Sequence, residues 1–265
     1  MKRNRNKVLL IALCLVLIGG AISFTAWAMG ANTSGLYWDG GFRVHGSGNW
    51  HELNESLDSF SHVDIRVGVY NVSIQTGNDY RISGYVRNDL RVSVDGDTLI
   101  VSEPTGRRRG FNINFGFFGR NSDNGALTIT VPTNTVLGSL LLELGVGQLN
   151  LRDIEALSAD ISNGVGDIRT SGVTLADAQI SSGVGNIHLD GTLQGNNEFS
   201  SGTGNVNLTL TGYQSDFSIN FQTGVGNSSM DGAAQRGGSR SGQHPSGHLD
   251  ISSGVGNIRV TFRGD

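Results

Sequence analysis

The sequence contains a single cysteine, Cys14, and no lysine beyond residue 7. One thiol cannot form an internal disulfide or a cysteine-based metal site, so the stability of the chain must come from burial and backbone hydrogen bonds. Four of the 19 basic residues precede residue 8, and the rest of the chain carries 15 arginines against 23 acids, a net charge of −8. That charge argues against nucleic acid, or polyanions in general, as partners.

Motifs of common catalytic and metal sites are missing as well. The chain has no Gly-x-Ser-x-Gly nucleophile motif. None of the six histidines forms a helix-spaced metal motif, and only His244 and His248 share a predicted loop. We therefore expect no metal, no cofactor and no catalytic residues. The alternative is an enzyme of the β-helix type acting on envelope polysaccharide, which needs facing carboxylates. Stacking could bring three acids onto one face, namely Glu143, Asp167 and Asp190.

Charged side chains are also missing from residues 8–29. These 22 residues are enough to span a bilayer, which takes about 20. Four basic residues among the first seven predict that residues 1–7 form a cytoplasmic tail and that the C-terminal part lies outside the cell membrane. Ala26-Trp27-Ala28 also fits a signal-peptidase site, but the apolar stretch is longer than the usual signal core, so an uncleaved anchor is favoured over cleavage after Ala28. Residues 30–59, rich in Gly and Ser, are predicted to form a stalk.

A Gly-x-Gly motif recurs six times in the second half of the chain. The first glycines stand at 145, 164, 183, 202, 224 and 254, so the steps between them are 19, 19, 19, 22 and 30 residues. A fixed period indicates stacked repeats rather than a catalytic loop. The twelve glycines predicted at the corners of these repeats are Gly145, Gly147, Gly164, Gly166, Gly183, Gly185, Gly202, Gly204, Gly224, Gly226, Gly254 and Gly256. Both glycines of a corner, such as Gly183 and Gly185, are predicted to hold φ values that a side chain would strain. Val184, between them, is predicted to pack in a row with Val165 and Val146.

Apolar residues alternate with polar ones on both sides of each Gly-x-Gly motif, which is typical of strands with one buried face. Each repeat is thus predicted to run as a strand, a glycine corner and a second strand. The period is too short for a propeller blade, which needs about 40–45 residues. We predict an all-β, single-stranded β-solenoid with coils of about 19 residues over 60–265, preceded by one transmembrane helix. Composition predicts loops at two insertions, 103–124 and 232–248.

A polar residue follows the second glycine of every repeat. Stacking would align these residues into a ladder, in which amides bond to one another or to the turn backbone. A calcium site would need several acidic oxygens, and only Asp167 is acidic, so turn chemistry is favoured over metal or sugar binding. The members of the ladder are Gln148, Asp167, Asn186, Asn205, Asn227 and Asn257.

The insertion at 103–124 combines basic and aromatic residues in an otherwise acidic domain. Two interpretations are open. The phenylalanines could fold back as a cap that protects a sheet edge. Alternatively, the segment is a contact loop, in which arginines meet the phosphates of an anionic polymer or lipid and exposed phenylalanines pack against it. The candidate contact residues are Arg107, Arg108, Arg109, Phe111, Phe115, Phe117 and Arg120.

The corner motifs and the segment Asp97-Thr98-Leu99-Ile100-Val101-Ser102-Glu103 resemble the bacterial toast-rack (adhesin-type) β-solenoid domains of unknown function. The membrane segment followed by Gly35-Leu36-Tyr37-Trp38 is similar to membrane-anchored members from Gram-positive bacteria. The resemblance implies association with the cell envelope, with an envelope polymer or protein as partner. It implies adhesion or envelope-stress sensing, and no catalytic residue. A purely structural surface protein is a further alternative.

Overall fold

A computed structural model describes residues 36–38, 42–44, 50–103, 125–235, 237–242 and 247–264. Strands β1 (Leu36–Trp38) and β2 (Phe42–Val44) pair as an antiparallel hairpin in a small unit of their own. All other strands belong to a second unit, which the following paragraphs describe. The predicted anchor at 8–29 and tail at 1–7 lie outside the described residues, and no described helix is long and apolar enough to cross a membrane.

The second unit has two sheets that share one apolar core. Sheet 1 runs from β6 at one edge to β23 at the other, and its inner strands are parallel and in register. It contains β4 (His62–Gly77, first half), β6 (Arg91–Asp95), β7 (Thr98–Ser102), β10 (Ser139–Val146), β13 (Ala159–Val165), β16 (Ala178–Val184), β18 (Asn196–Thr203), β20 (Phe217–Val225), β23 (Gly238–Ser241) and β24 (Gly247–Val255).

Sheet 2 receives the chain after each glycine corner, and its inner strands are also parallel. The second half of β4 belongs to it, and a 3-10 turn at Gln214–Asp216 follows one of its strands. The other strands are β3 (Trp50–Ser56), β5 (Arg81–Arg87), β8 (Gly125–Pro132), β9 (Val136–Leu137), β11 (Leu149–Arg152), β12 (Glu155–Ala156), β14 (Ile168–Ser171), β15 (Val173–Ala176), β17 (Ile187–Gln194), β19 (Val206–Thr211), β21 (Ser228–Met230), β22 (Ala233–Gln235) and β25 (Ile258–Arg263).

The core consists of rows of equivalent residues, one from each coil. Leu142 pairs in register with Ile161, and Ile161 with Ile180, on the inner side of sheet 1. Leu149 and Ile168 do the same in sheet 2. All five are at most 2% exposed. These rows are the apolar positions that flank each Gly-x-Gly motif, so the predicted all-β, solenoid-like architecture is confirmed.

The order of the last two coils in space differs from their order in the chain. Strand β24 lies between β18 and β20, with Ile251 paired to Phe199 on one side and to Phe221 on the other. The coil with Gly254 is therefore inserted between the coils with Gly202 and Gly224. The chain leaves a gap one strand wide between β18 and β20, and β24 later fills that gap. This return, which simple sequential stacking does not include, accompanies the irregular steps of 22 and 30 residues.

Antiparallel strands cover both ends of the parallel stack. At one end β5 and β6 pair antiparallel with β8 and β7, and β3 continues beyond β5. At the other end β22 and β23 pair antiparallel with β21 and β20. Two expectations need correction: 232–248 contains strands β22 and β23 and is not simply a loop, and Trp50–Ser56 is a strand of the domain rather than part of the stalk. Without these antiparallel strands, the ends of the stack would expose unpaired backbone edges.

The two glycines of each corner have different roles. The second glycine has a positive φ, +152° at Gly185, whereas Gly183 is not among the positive-φ residues. The expectation that both glycines of this corner adopt such a φ is therefore wrong. At Gly183 the constraint is proximity, because a Cβ would lie 2.6 Å from the carbonyl oxygen of Gly164 in the preceding coil. At Gly185 a Cβ would lie 2.0 Å from the Gly166 oxygen.

We predict that Gly185→Ala destabilises the domain by at least about 3 kcal/mol, because backbone strain adds to a clash with backbone that cannot rotate away. Gly96→Ala is the matched control: Gly96 has φ +62°, yet a Cβ there meets nothing within 4 Å. That control should lose only about 1–2 kcal/mol from φ strain. Chemical denaturation measures both values. Equal losses for the two variants would contradict the role of close coil packing.

Candidate functional surfaces

The polar residues after the second glycines form a hydrogen-bonded ladder along the corner edge, from Asp167 to Asn227. Asn205 donates its backbone N–H to Asn186 Oδ1 at 3.0 Å and its side-chain amide to the same oxygen at 3.2 Å. Asn257 and Asn227 extend the pattern through backbone N–H donors at 2.9 and 3.0 Å. At the other end Gln148 donates its backbone N–H to Asn71 Oδ1 at 2.9 Å. The amide oxygens of Asn186, Asn205 and Asn257 are thus occupied by turn hydrogen bonds.

Asp167 is the one acid in this ladder. Its Oδ1 accepts the backbone N–H of Asn186 at 2.9 Å and the side-chain amide at 3.2 Å. Its Oδ2 pairs with Arg169. The backbone hydrogen bond from Asn186 is the main reason why the pKa of Asp167 is lowered from its ordinary 3.8, and the positive charge of Arg169 contributes as well. The carboxylate thus replaces an amide as acceptor, with no other acid beside it in the ladder.

The residues between the two glycines form a second row on the corner, called here the valine ridge. Sequence reasoning placed Val146, Val165 and Val184 in one packed row. The row exists, because these residues pair in register from coil to coil. Its side chains are on the outside, however, with Val184 51% and Val225 67% exposed. The ridge consists of Val69, Val146, Val165, Val184, Val255 and Val225 in spatial order, with Thr203 between Val184 and Val255.

At the first corner of the stack, a side chain takes the place of a preceding coil. Glu103 Oε2 accepts the backbone N–H of Gly68 at 2.7 Å. It occupies the place beside Gly68 that the Gly68 carbonyl occupies beside Gly145 in the next coil. The insertion begins at this residue, between β7 and β8 of the end coil. The candidate contact residues between Arg107 and Arg120 lie outside the described residues.

The outer side of sheet 1 carries an acidic face, defined as Asp64, Glu143, Asp160, Glu198 and Asp250. Glu198 and Asp250 stand directly opposite each other on neighbouring strands. A row of four serines runs beside them through consecutive coils: Ser162, Ser181, Ser200 and Ser252. Sequence reasoning missed this face. The acids and serines of this face stand four or two residues before the first glycine of their repeats. These positions lie on either side of the buried position that was used to align the repeats.

Several carboxylates of the acidic face have partners. Arg66 pairs with Asp64 at 2.9 Å and approaches Glu143 at 3.9 Å. His248 Nε2 lies 3.0 Å from Asp250, which also accepts the amide of Asn220 at 2.9 Å. Asp160 and Glu198 are exposed and have no partner among the described residues. The face is therefore a flat, water-exposed array rather than an enclosed site.

The three acids considered for a catalytic cluster do not meet. Glu143 is on sheet 1, Asp167 is at the corner, and Asp190 is on sheet 2, where Arg263 Nη1 lies 3.1 Å from it. His248 pairs with Asp250, while His244 lies outside the described residues. Within the described part of the chain, no group of three His, Cys, Asp or Glu side chains could hold a metal ion.

Compared with the acidic face of sheet 1, the outer side of sheet 2 is rich in basic side chains. A shallow depression there is lined by Asn150, Arg152, Arg169 and His188, among other polar residues. Arg152 has no ion-pair partner in the described ranges, whereas Arg169 is held by Asp167. His188 points outward between the buried Ile187 and Leu189, and its Nδ1 lies 3.4 Å from the amide of Asn207. The two sheets thus present opposite charge on opposite sides of the core.

Comparison with known proteins agrees with this architecture. The model of the Toastrack DUF4097 family matches residues 60–265, and the chain belongs to that family. Its fold is similar to a Clostridium sporogenes structure provisionally described as a cell adhesion protein, with 14% identity, TM-score 0.46, and coverage of 81% of this chain and 100% of the other. A Bacteroides fragilis structure provisionally described as an adhesin gives 18% identity, TM-score 0.44 and coverage of 81% and 98%.

A third similar structure, from Parabacteroides distasonis, is provisionally described as a lipid binding protein, with 12% identity, TM-score 0.33 and coverage of 81% and 98%. No curated protein matches the chain. At these identities the likeness concerns the fold alone.

We predict that Asp167→Asn alters the acid response of the domain. The folded state lowers the pKa of Asp167, so its contribution is fully present above the ordinary pKa and is lost as the pH falls through the lowered value. Asn, which other coils have at this position, keeps the ladder acceptor but does not titrate. The melting temperature of the wild type relative to the variant should therefore fall as the pH drops from 7 to below 3.8. A constant difference between the two melting temperatures across this pH range would contradict the lowered pKa of Asp167.

Proposed function

We propose that this chain is a non-catalytic binding module, held on the outer side of the cell membrane by residues 8–29, that contacts a cell-envelope polymer or protein in adhesion or envelope-stress sensing. The observation that carries the proposal is the acidic face, where serines recur at the spacing of parallel strands, about 4.8 Å, and five of the six strands from β4 to β24 carry a carboxylate. A flat periodic array suits an extended partner with repeated cationic or hydroxyl groups better than a small molecule, which needs a concave pocket.

The charge of the face favours a cationic partner. Asp160 and Glu198 are exposed and without ion-pair partners in the described part of the chain, so they are available to ammonium or guanidinium groups. Exposed pairs contribute little one at a time, but a repeated array gains by engaging several at once. The contact loop with Arg107, Arg108, Arg109 and Arg120 remains a second proposed contact element, of opposite charge.

An enzyme acting on polysaccharide is the second candidate, favoured by one observation. Glu198 and Asp250 are carboxylates on neighbouring strands, which is the kind of pair that glycoside hydrolysis uses. A glycosidase site also encloses the sugar, so that the two carboxylates face the glycosidic bond from both sides. Glu198 is exposed, and the carboxylate of Asp250 contacts His248 and accepts a hydrogen bond from the amide of Asn220. We therefore prefer binding to catalysis.

We predict that the full-length chain remains with membranes after an alkaline carbonate wash, because an uncharged segment of 22 residues is long enough to span the bilayer. Replacing two residues in the middle of that segment, Leu17→Arg and Ile18→Arg, should release the protein into the supernatant or prevent its insertion. A mature N-terminus at Met29 on N-terminal sequencing would show a cleaved signal peptide instead.

We predict that neutralising the acidic face weakens binding of the full chain to immobilised poly-lysine. The triple variant Glu143→Gln, Asp160→Asn and Glu198→Gln should elute at clearly lower salt, because three exposed charges are lost from one face. The matched control is Glu52→Gln, Glu55→Gln and Glu155→Gln, which changes the net charge equally through residues that are also exposed.

The control should elute close to the wild type. Equal weakening in both triple variants would show that only net charge matters and would remove the acidic face as a specific contact surface. Release of reducing ends from envelope polysaccharide by the wild type, abolished by Glu198→Gln alone, would instead favour the enzyme.

A further inference from the structure

The valine ridge is an apolar surface that the fold itself does not require. Thr203 occupies the same position in one coil and pairs in register with its neighbours Val184 and Val255. A β-branched side chain suits the extended backbone here, but Thr203 shows that an apolar one is unnecessary. Six of the seven positions are nevertheless valine, each between 38% and 67% exposed. The ridge spans six strand spacings, about 29 Å.

The surroundings of the ridge are shaped to receive another ridge. On the side toward sheet 1 it is flanked by exposed first glycines, such as Gly164, Gly183 and Gly202, which present backbone without side chains. Beyond them lie the serines, and on the other side lies the Asn ladder. From the coil of Gly183 to that of Gly224 no charged residue interrupts this strip. The result is a long apolar ridge beside a parallel groove.

From this geometry we infer that the valine ridge is a self-association surface, whose partner is the same ridge on a second copy of this chain. A second copy carries the same strand repeat, so its side chains coincide with the valines and the glycine groove along the whole length. A partner without this repeat would match at only a few coils. Over the four coils from Gly183 to Gly224, the uncharged strip also lets two identical surfaces meet without like-charge repulsion, which the acidic face does not.

The area is consistent with a modest dimer. The exposed parts of the six valines sum to roughly 400 Å², which is the size of the largest apolar patch on a typical monomer, a patch that is often functional. A standard stable interface takes about 800 Å² per partner. The ridge supplies about half of that, and the serine and Asn rows beside it supply polar surface for the rim. The inference concerns assembly and goes beyond binding of an envelope partner.

Cysteine cross-linking of the purified full chain tests the inference. In a Cys14→Ser background, Val184→Cys places a thiol at the middle of the seven ridge positions, where it meets its equivalent in either a parallel or an antiparallel two-fold dimer. Leu157→Cys is the control at the other turn of a coil, and Leu157 is more exposed, at 59% against 51%. We expect Val184→Cys to form disulfide-linked dimers about tenfold faster than the control.

A second substitution separates specific contact from chance collision. Adding Val165→Lys next to Val184→Cys puts a charge on the ridge of each copy, and the rate should fall to that of the control while the melting temperature stays within a few degrees. Equal rates for Val184→Cys and Leu157→Cys, or a rate unchanged by Val165→Lys in a folded protein, would overturn the inference. Because no envelope partner is present, either outcome is independent of the proposed binding function.

Discussion

Close approach of backbone between coils is the constraint on which the rest of the structure depends. At each corner a glycine lies so near the preceding coil that a Cβ would meet its carbonyl oxygen, at 2.6 Å for Gly183 and 2.0 Å for Gly185. This contact sets the coils at strand spacing and fixes their register. In-register strands then bury the apolar rows on the inside and repeat every outer side chain in a line. Both the core and the functional surfaces are consequences of the corner.

The same regularity explains the chemistry of the surfaces. In a globular enzyme, burial perturbs a few side chains at one enclosed position. Here each outer position is copied on the neighbouring strand, so a property such as charge or apolarity becomes a row. Sheet 1 collects carboxylates and serines, sheet 2 collects arginines and a histidine, and the edge between them collects valines. Such rows provide three chemically distinct surfaces on one small domain.

The repeat could be predicted from the sequence because its signals are local. Alternating apolar residues around Gly183 and Gly185 specify strand, corner and strand, and the polar residue that follows predicts the ladder. The place of β24 between β18 and β20 depends on long-range pairing, and the local pattern around Gly254 matches that of any other coil. Exposure of Val184 was mispredicted because apolar character was equated with burial. The acidic face was missed because only the inward positions of the repeat were aligned.

The inserted last coil affects how the protein can be made. In a simple solenoid each coil docks on one already formed, so structure can grow as the chain leaves the ribosome. In this protein the stack can grow in that way as far as β19, which pairs with β17 and ends at Thr211. Strand β20 is synthesised next, but its neighbour β24 is not yet available, so the edges of β18 and β19 stay unpaired until β24 and β25 emerge. During that interval an apolar parallel edge is open to mispairing, and β24 and β25 then close it.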